Sequence, residues 1–136
     1  MKHVLLTAAA TLALAAPAFA QDADKGAKEF RKCQACHTVA DDDGNVLHKG
    51  GRTGPNLYAV IGRTAGTTEF KYSSIMVAAG EAGLVWDAEN FGEFIADPNG
   101  FLSAAAGESG RSKMAKQRVK NPADIVAYLE SLLPAE

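Results

Sequence analysis

Cys33, Gln34, Ala35, Cys36 and His37 form a C-x-x-C-H run, the signature of covalent haem attachment. The spacing has a physical reason. Two thiols one helical turn apart reach the two vinyl groups of a haem, and the adjacent imidazole comes under the iron. Three other chemistries compete for the same residues. A redox-active C-x-x-C belongs in a βαβ setting, and no such pattern is visible. A zinc site needs further Cys or His ligands at regular spacing, which His48 alone does not supply. A plain disulfide leaves His37 without a role. A covalent haem c on Cys33 and Cys36, with His37 as an iron ligand, is therefore the expected chemistry.

What occupies the other face of the iron decides the function. An iron with two protein ligands transfers electrons, whereas an open face binds gases or peroxide. Met76, Met114 and His48 are the candidates. Met76 lies in the apolar stretch SSIMVAA, where a methionine fills core. His48 lies in a polar loop eleven residues after His37 and reads as solvated. Met114 sits in GESGRSKMAKQ, a polar setting that gives a methionine no ordinary core reason to be there. It follows His37 by 77 residues, enough chain to return to the opposite haem face. Met114 is thus the expected second ligand, and a thioether there favours ferrous iron and a fairly high potential.

The elements that must position these residues follow from the rest of the 136-residue chain. Lys2 and His3 precede an uncharged run of 13 residues, Val4 to Ala16, which breaks at Pro17 and ends Ala18-Phe19-Ala20. Basic start, short apolar core and small residues before Gln21 are the layout of a secretory signal peptide over 1–20. Thirteen helical residues at about 1.5 Å each fall short of a ~30 Å bilayer core. Cleavage leaves a single domain over 21–136, 116 residues long, with 13 basic residues against 16 acidic, a net charge of −3. That balance excludes a strongly basic nucleic-acid binder. Two cysteines are too few for a disulfide scaffold, and 47% hydrophobic residues with 22% charged argue against disorder.

The segment DADKGAKEFRKC predicts a short helix capped by Asp22 or Asp24 and anchored by Phe30. Six of the thirteen glycines and Pro55 fall between Gly44 and Gly66, which reads as loop with tight turns. A second helix is expected from near Tyr72 to before Gly80. A third follows Trp86, with Asp87 as N-cap, Phe91, Phe94 and Ile95 on one face, and a stop before Asp97-Pro98. The last starts with Asn121 as cap and Pro122 at the first position. Asp124 stands near the positive end of its dipole, and Ile125, Val126, Leu129, Leu132 and Leu133 form one apolar stripe. No strand shows convincing alternation. The fold class is all-α with long loops, and so few short helices make a thin core unless an apolar cofactor fills the middle.

These motifs resemble the class I cytochromes c, in particular the long bacterial c2 and c550 type. The likeness runs through GAKEF, CQACH, TGPNLYAVIGRTAG, FKYS, GLVWDAENFGEFIADP, SKM and DIVAYL in that order. It implies short helices and long loops wrapped around one haem c, with His37 and Met114 as axial ligands. It further implies that the Pro55 carbonyl accepts from His37 Nδ1–H, which orients the ring and raises its basicity. Arg63, Tyr72 and Trp86 match residues that neutralise or hydrogen-bond the haem propionates. Trp86 and Tyr72 also serve as ordinary aromatic core. Gly26 and Phe30 are expected to meet Tyr128 and Leu129 where the first and last helices cross.

Two positions depart from the family's pattern. The family usually carries a tyrosine at Phe94, whose hydroxyl donates toward the axial sulfur, and Phe94 has no such donor. It also favours an aromatic two residues after the ligand methionine, where this chain has Lys116. Both departures imply a potential toward the low end for long-form relatives.

Arg111, Lys113, Lys116, Arg118 and Lys120 lie in a stretch without an acidic residue, and Lys25, Lys28, Arg31 and Lys32 precede the haem motif. Either cluster alone reads as solvated surface. Together they flank the haem in sequence, while Asp41, Asp42 and Asp43 lie elsewhere. Such a dipolar molecule steers its haem edge toward an acidic docking patch, raising on-rate more than affinity. The resemblance implies a soluble periplasmic one-electron carrier, not an enzyme, and expected as a monomer. It also implies a cytochrome bc1 complex as donor and a photosynthetic reaction centre or terminal oxidase as acceptor. A more specialised periplasmic dehydrogenase is an equally compatible donor. The contrasting readings are a haem protein with an open iron face, acting in ligand binding or peroxide chemistry, and a haem-free thiol-redox protein.

Overall fold

The computed structural model describes residues 21–135; the expected signal peptide over 1–20 lies outside them. Five helices follow in order: α1 Ala23–Glu29, α2 Ser74–Glu81, α3 Ala88–Ala96, α4 Pro98–Ala106 and α5 Pro122–Ser131. One turn of 3₁₀ helix, Phe30–Lys32, continues α1 toward the cysteines. None of the described helices is long and apolar enough to cross a membrane.

Asp22 caps α1, its carboxylate accepting from Lys25 N at 3.0 Å. Asp22 N in turn donates to Asp124 Oδ1 at 2.8 Å, tying the start of α1 to the first turn of α5. Gly26 faces Asp124 and Tyr128 at the crossing, and the fully buried Phe30 ring lies 5.5 Å from that of Tyr128. The two helices therefore meet as the resemblance implied. Around them Ile75, Leu102, Ile125, Val126 and Leu129 form the dry end of the core.

The structure differs from the sequence reading at four places. A two-stranded antiparallel hairpin, β1 Val39–Ala40 and β2 Val46–His48, interrupts the first loop. Strands of two and three residues are too short to show alternation. The turn between them is held by the Asp41 carboxylate, which accepts from Asn45 N at 2.8 Å and Asn45 Nδ2 at 2.9 Å. Helix α2 runs through Gly80 instead of ending before it. A Cβ there would stand 2.0 Å from Ala65 O, so the glycine serves close packing and not termination. Helix α3 does stop before Asp97-Pro98, but the same pair starts α4: Pro98 takes the first position and Asp97 Oδ1 accepts from Gly100 N at 3.1 Å. Finally, Asn121 stands at the N-cap of α5 without a side-chain bond. Its carbonyl accepts from Asp124 N instead, at 3.2 Å.

The long loops are not loose. Gly44, Gly62 and Gly66 turn with positive φ, as the glycine-rich segment suggested. Residues 62–65 pair with 84–86 through Gly62 N to Trp86 O at 2.7 Å and Trp86 N to Arg63 O at 3.0 Å. This pairing sets Arg63 and Trp86 side by side.

Candidate haem site

One cavity of about 320 Å³ takes its walls from nearly every part of the chain. All eight predicted site residues line it: Cys33, Cys36, His37, Pro55, Arg63, Tyr72, Trp86 and Met114. Leu57, Val60, Phe91, Phe94 and Ile95 make the lining mainly apolar, with Lys32, Thr53, Ser73 and Lys113 at its polar parts.

His37 is buried, with Nδ1–H donating to Pro55 O at 2.8 Å. Burial pushes its pKa below the usual imidazole value, and the Pro55 bond partly offsets this. The ring is thus neutral at physiological pH, and Nε2, which has no protein partner among the described residues, keeps its lone pair. Gly54 makes the position available: a Cβ there would stand 2.4 Å from His37 Cε1. Gly54 N also donates to Cys36 O at 2.8 Å, so the Gly54-Pro55 pair is laced to the motif from both sides.

Cys33 and Cys36 form no disulfide with each other. Burial pushes the Cys33 thiol up to about 11. A thiol held protonated is a poor attacking group, the reverse of what a thiol-redox centre requires.

Arg63 donates to Tyr58 O at 3.2 Å and Asn56 O at 3.1 Å. Burial lowers its pKa, and no carboxylate pairs with it among the described residues. A half-buried cation on an apolar wall lacks a counter-charge, and an anionic group on the cavity's occupant would supply one. Tyr72 Oη is 2.5 Å from Thr68 Oγ1. Trp86 packs on Phe94 at 4.9 Å and Phe101 at 6.1 Å, and its indole N–H has no protein acceptor among the described residues. Both aromatics are core and cavity wall at once.

Met114 enters the cavity from a segment without regular structure that is pinned at several points. Ser112 N donates to Asn99 Oδ1 at 2.8 Å, Gln117 N to Ile95 O at 2.6 Å and Lys32 Nζ to Arg118 O at 3.0 Å. Lys113 Nζ donates to Lys71 O. Ser112, Lys113, Gln117 and Arg118 are therefore anchors around a single apolar side chain. Met76 is both core and cavity wall, so two thioethers share the space. Lys116 is exposed, and Ala115 and Gln117 form the wall beside Met114.

His48 corrects its reading as a solvated loop residue. It is half-buried, with Nδ1 2.6 Å from Tyr128 Oη and Nε2 3.0 Å from Gln34 Oε1. It does not line the cavity. Gly54 and Gln117 are site residues that sequence reasoning passed over; the glycine directly before Pro55 was the available signal for the first, and nothing local marked the second.

No family model matches the chain. It is, however, 52% identical over 134 residues to cytochrome c-551 of Roseobacter denitrificans, covering 97% of this chain and 96% of that one. It is 47% identical over 134 residues to cytochrome c2 of Rhodobacter capsulatus, covering 96% and 98%. The chain belongs to the class I cytochromes c of the bacterial c2 type. Two solved structures of cytochromes c2 and c-550 agree. The c2 from Paracoccus denitrificans superposes with a TM-score of 0.78 at 40% identity over 83% of this chain and 97% of that one. Ferric cytochrome c-550 from Paracoccus versutus gives 0.78 at 42% identity over 85% and 100%. Cytochromes of this type are electron-transfer proteins and not enzymes. Short helices and long loops around a central cavity are this fold, and the two-thiol, imidazole and thioether donor set fits the one haem c that the family implies.

Proposed function

We propose that the chain is a soluble periplasmic one-electron carrier, exported by cleavage before Gln21. Its haem c would be held through Cys33 and Cys36, with His37 and Met114 as axial ligands. One observation carries this reading: a single apolar cavity brings the C-x-x-C-H motif and Met114 together from positions 77 residues apart. A bound haem c supplies the ferric–ferrous couple, and no substrate bond is made or broken.

The chain's own residues hold and shield that couple. Cys33 and Cys36 offer their sulfurs for thioether bonds, and His37 Nε2 offers a lone pair whose direction is set by Pro55 O and Gly54. Arg63 offers a fixed positive charge to a propionate, with Tyr72 and Trp86 alongside. Leu57, Val60, Phe91 and Ile95 exclude water, so that little reorganises around a change of charge.

The same picture sorts the six docking lysines. Lys25 pairs with Asp22 at 3.1 Å and Lys32 with Glu29 at 2.9 Å, while Lys113 is tied to Lys71 O. Lys28, Lys116 and Lys120 make no ion pair among the described residues, but Lys120 lies near the Glu29 carboxyl and helps hold its pKa down, so Lys28 and Lys116 offer the freest charge to an acidic partner. A cytochrome bc1 complex as donor and a photosynthetic reaction centre or terminal oxidase as acceptor suit such a surface.

Purification of the exported protein tests the reading at once, since a colourless product would end it. Met114→Ala should abolish the ferric charge-transfer band of thioether ligation and open the ferrous iron to carbon monoxide. Ready binding of carbon monoxide by the wild type would instead support the open-face reading.

A further inference from the structure

His48 lies outside the cavity, yet it is tied to the attachment motif. It ends β2, with its ring edge-on to Phe30 at 4.7 Å and to Tyr128 at 5.8 Å. Its two nitrogens bridge different parts of the fold. Nε2 meets Gln34 Oε1, and Gln34 stands between Cys33 and Cys36; Nδ1 meets Tyr128 Oη on α5. The Gln34 backbone is already fixed, its N–H donating to Phe30 O at 3.1 Å and its carbonyl accepting from Gly51 N at 2.8 Å. The histidine adds the side-chain tie that joins the motif to the last helix.

The hydrogen bonds assign the protons. Gln34 Oε1 can only accept, so Nε2 carries the hydrogen. Nδ1 of the neutral ring then accepts from the Tyr128 O–H. Taking up a proton turns Nδ1 into a donor, so the Tyr128 hydroxyl hydrogen must rotate away and its oxygen must accept. One proton therefore reverses one bond and leaves the Gln34 tie in place.

We propose that His48 is a proton-linked positioning residue, whose charge couples proton uptake at the Gln34–His48–Tyr128 bridge to the reduction potential of the site. A cation formed beside the attachment motif opposes additional positive charge in the cavity. Oxidation and protonation at His48 then disfavour one another, and the linkage is reciprocal. The surroundings leave this charge uncompensated. Val39 from β1 and Phe30 and Gln34 from the segment after α1 are uncharged, and Tyr128 is the facing titratable group from α5, its own pKa raised by burial. Lys49 follows in the chain, and His48 makes no ion pair among the described residues. Burial also holds the ring below its ordinary pKa, which favours the neutral ring at neutral pH.

The inference rests on the haem reading above and fails separately from it. A protein without haem has no potential to measure and sinks the function; a haem protein indifferent to His48 sinks only this proposal. The test is the midpoint potential of the holoprotein between about pH 5 and 8, for wild type, His48→Val and His48→Gln. The wild type should show a rise toward acid that fits one proton, and both variants should lose that step. His48→Gln keeps the potential to form both bonds without titrating, so it should retain more thermal stability than His48→Val while still being flat. In ring-proton NMR, the wild-type His48 titration should move to lower pH on oxidation. A wild-type potential independent of pH, an identical step in either variant, or a His48 titration unchanged by redox state would each overturn the proposal.

Discussion

Gly54 gives the sharpest way to disturb the site without touching a ligand. A Cβ at this position would stand 2.4 Å from His37 Cε1, 2.7 Å from Nδ1 and 2.8 Å from Nε2. Carbon contacts are comfortable at roughly 3.5 Å, so Gly54→Ala forces a separation of about 1 Å. Either the ring moves or the Gly54-Pro55 backbone does. Both stretch the 2.8 Å bond from Nδ1 to Pro55 O toward or beyond hydrogen-bonding range. Overpacking costs ~1–3 kcal/mol and the lost hydrogen bond ~1 kcal/mol, giving about 2–4 kcal/mol in all. For a domain of this size that lowers Tm by about 8–16 °C. An imidazole without its Nδ1–H acceptor is also a weaker donor, so ferric iron is less stabilised and the midpoint potential rises. Thermal unfolding of the oxidised protein and voltammetry read the two effects. A variant with wild-type Tm and unchanged potential would show that Gly54 does not set the His37 ring.

Three other perturbations address the cavity wall, the docking face and the acid limit. Phe94, buried against Trp86, lines the cavity without a donor, so Phe94→Tyr should raise the midpoint potential; an unchanged or lowered value in voltammetry counts against a hydroxyl effect on the axial sulfur. Reversing Lys28, Lys116 and Lys120 together to Glu should slow electron transfer with an acidic partner by roughly tenfold at low ionic strength. That difference should shrink toward nothing near about 0.5 M salt in stopped-flow measurements, and persistence there would point to lost packing instead. Burial places the folded pKa of His48 below its ordinary value of 6.5, so the folded state binds fewer protons than the unfolded. Stability from this group is present above that value and is lost as pH falls through it toward the folded pKa. His48→Val should flatten the decline of Tm between about pH 7 and 5, and an equally steep decline would move the effect to another group.

The readable parts of this chain were those where local chemistry and tertiary role coincide. Cys33, Cys36 and His37 fall within five residues, the compact spacing that covalent haem attachment would need, and they stand together on one cavity wall. Helix α5 was legible for a similar reason: Ile125, Val126 and Leu129 of its expected stripe are buried on one face, while Leu132 and Leu133 fall just past its end at Ser131 and are half-buried. Where one residue type serves two purposes, the pattern misled. Glycine ends helices, but Gly80 sits inside α2 because Ala65 O lies against it. Asp-Pro ends α3 and, one residue later, begins α4, so a stop signal concealed a start. The hairpin over 39–48 was too short to carry any period.

Beyond the motif and Met114, the site was legible only through resemblance, and the structure gives the reason. Arg63 and Trp86 are 23 residues apart and become neighbours through the pairing of residues 62–65 with 84–86, which no spacing rule encodes. Met114 looked out of place because its segment is polar, yet three of its neighbours turn out to be anchors: Ser112 on Asn99, Lys113 on Lys71 and Gln117 on Ile95. A methionine inside a ring of such anchors cannot drift from the cavity wall without breaking several bonds at once. The same rule applies to His48, which looked like a solvated loop residue until its two bonds to Gln34 and Tyr128 were in place. A polar segment around an isolated functional side chain is therefore better read as the device that holds it than as mere solvent-facing loop.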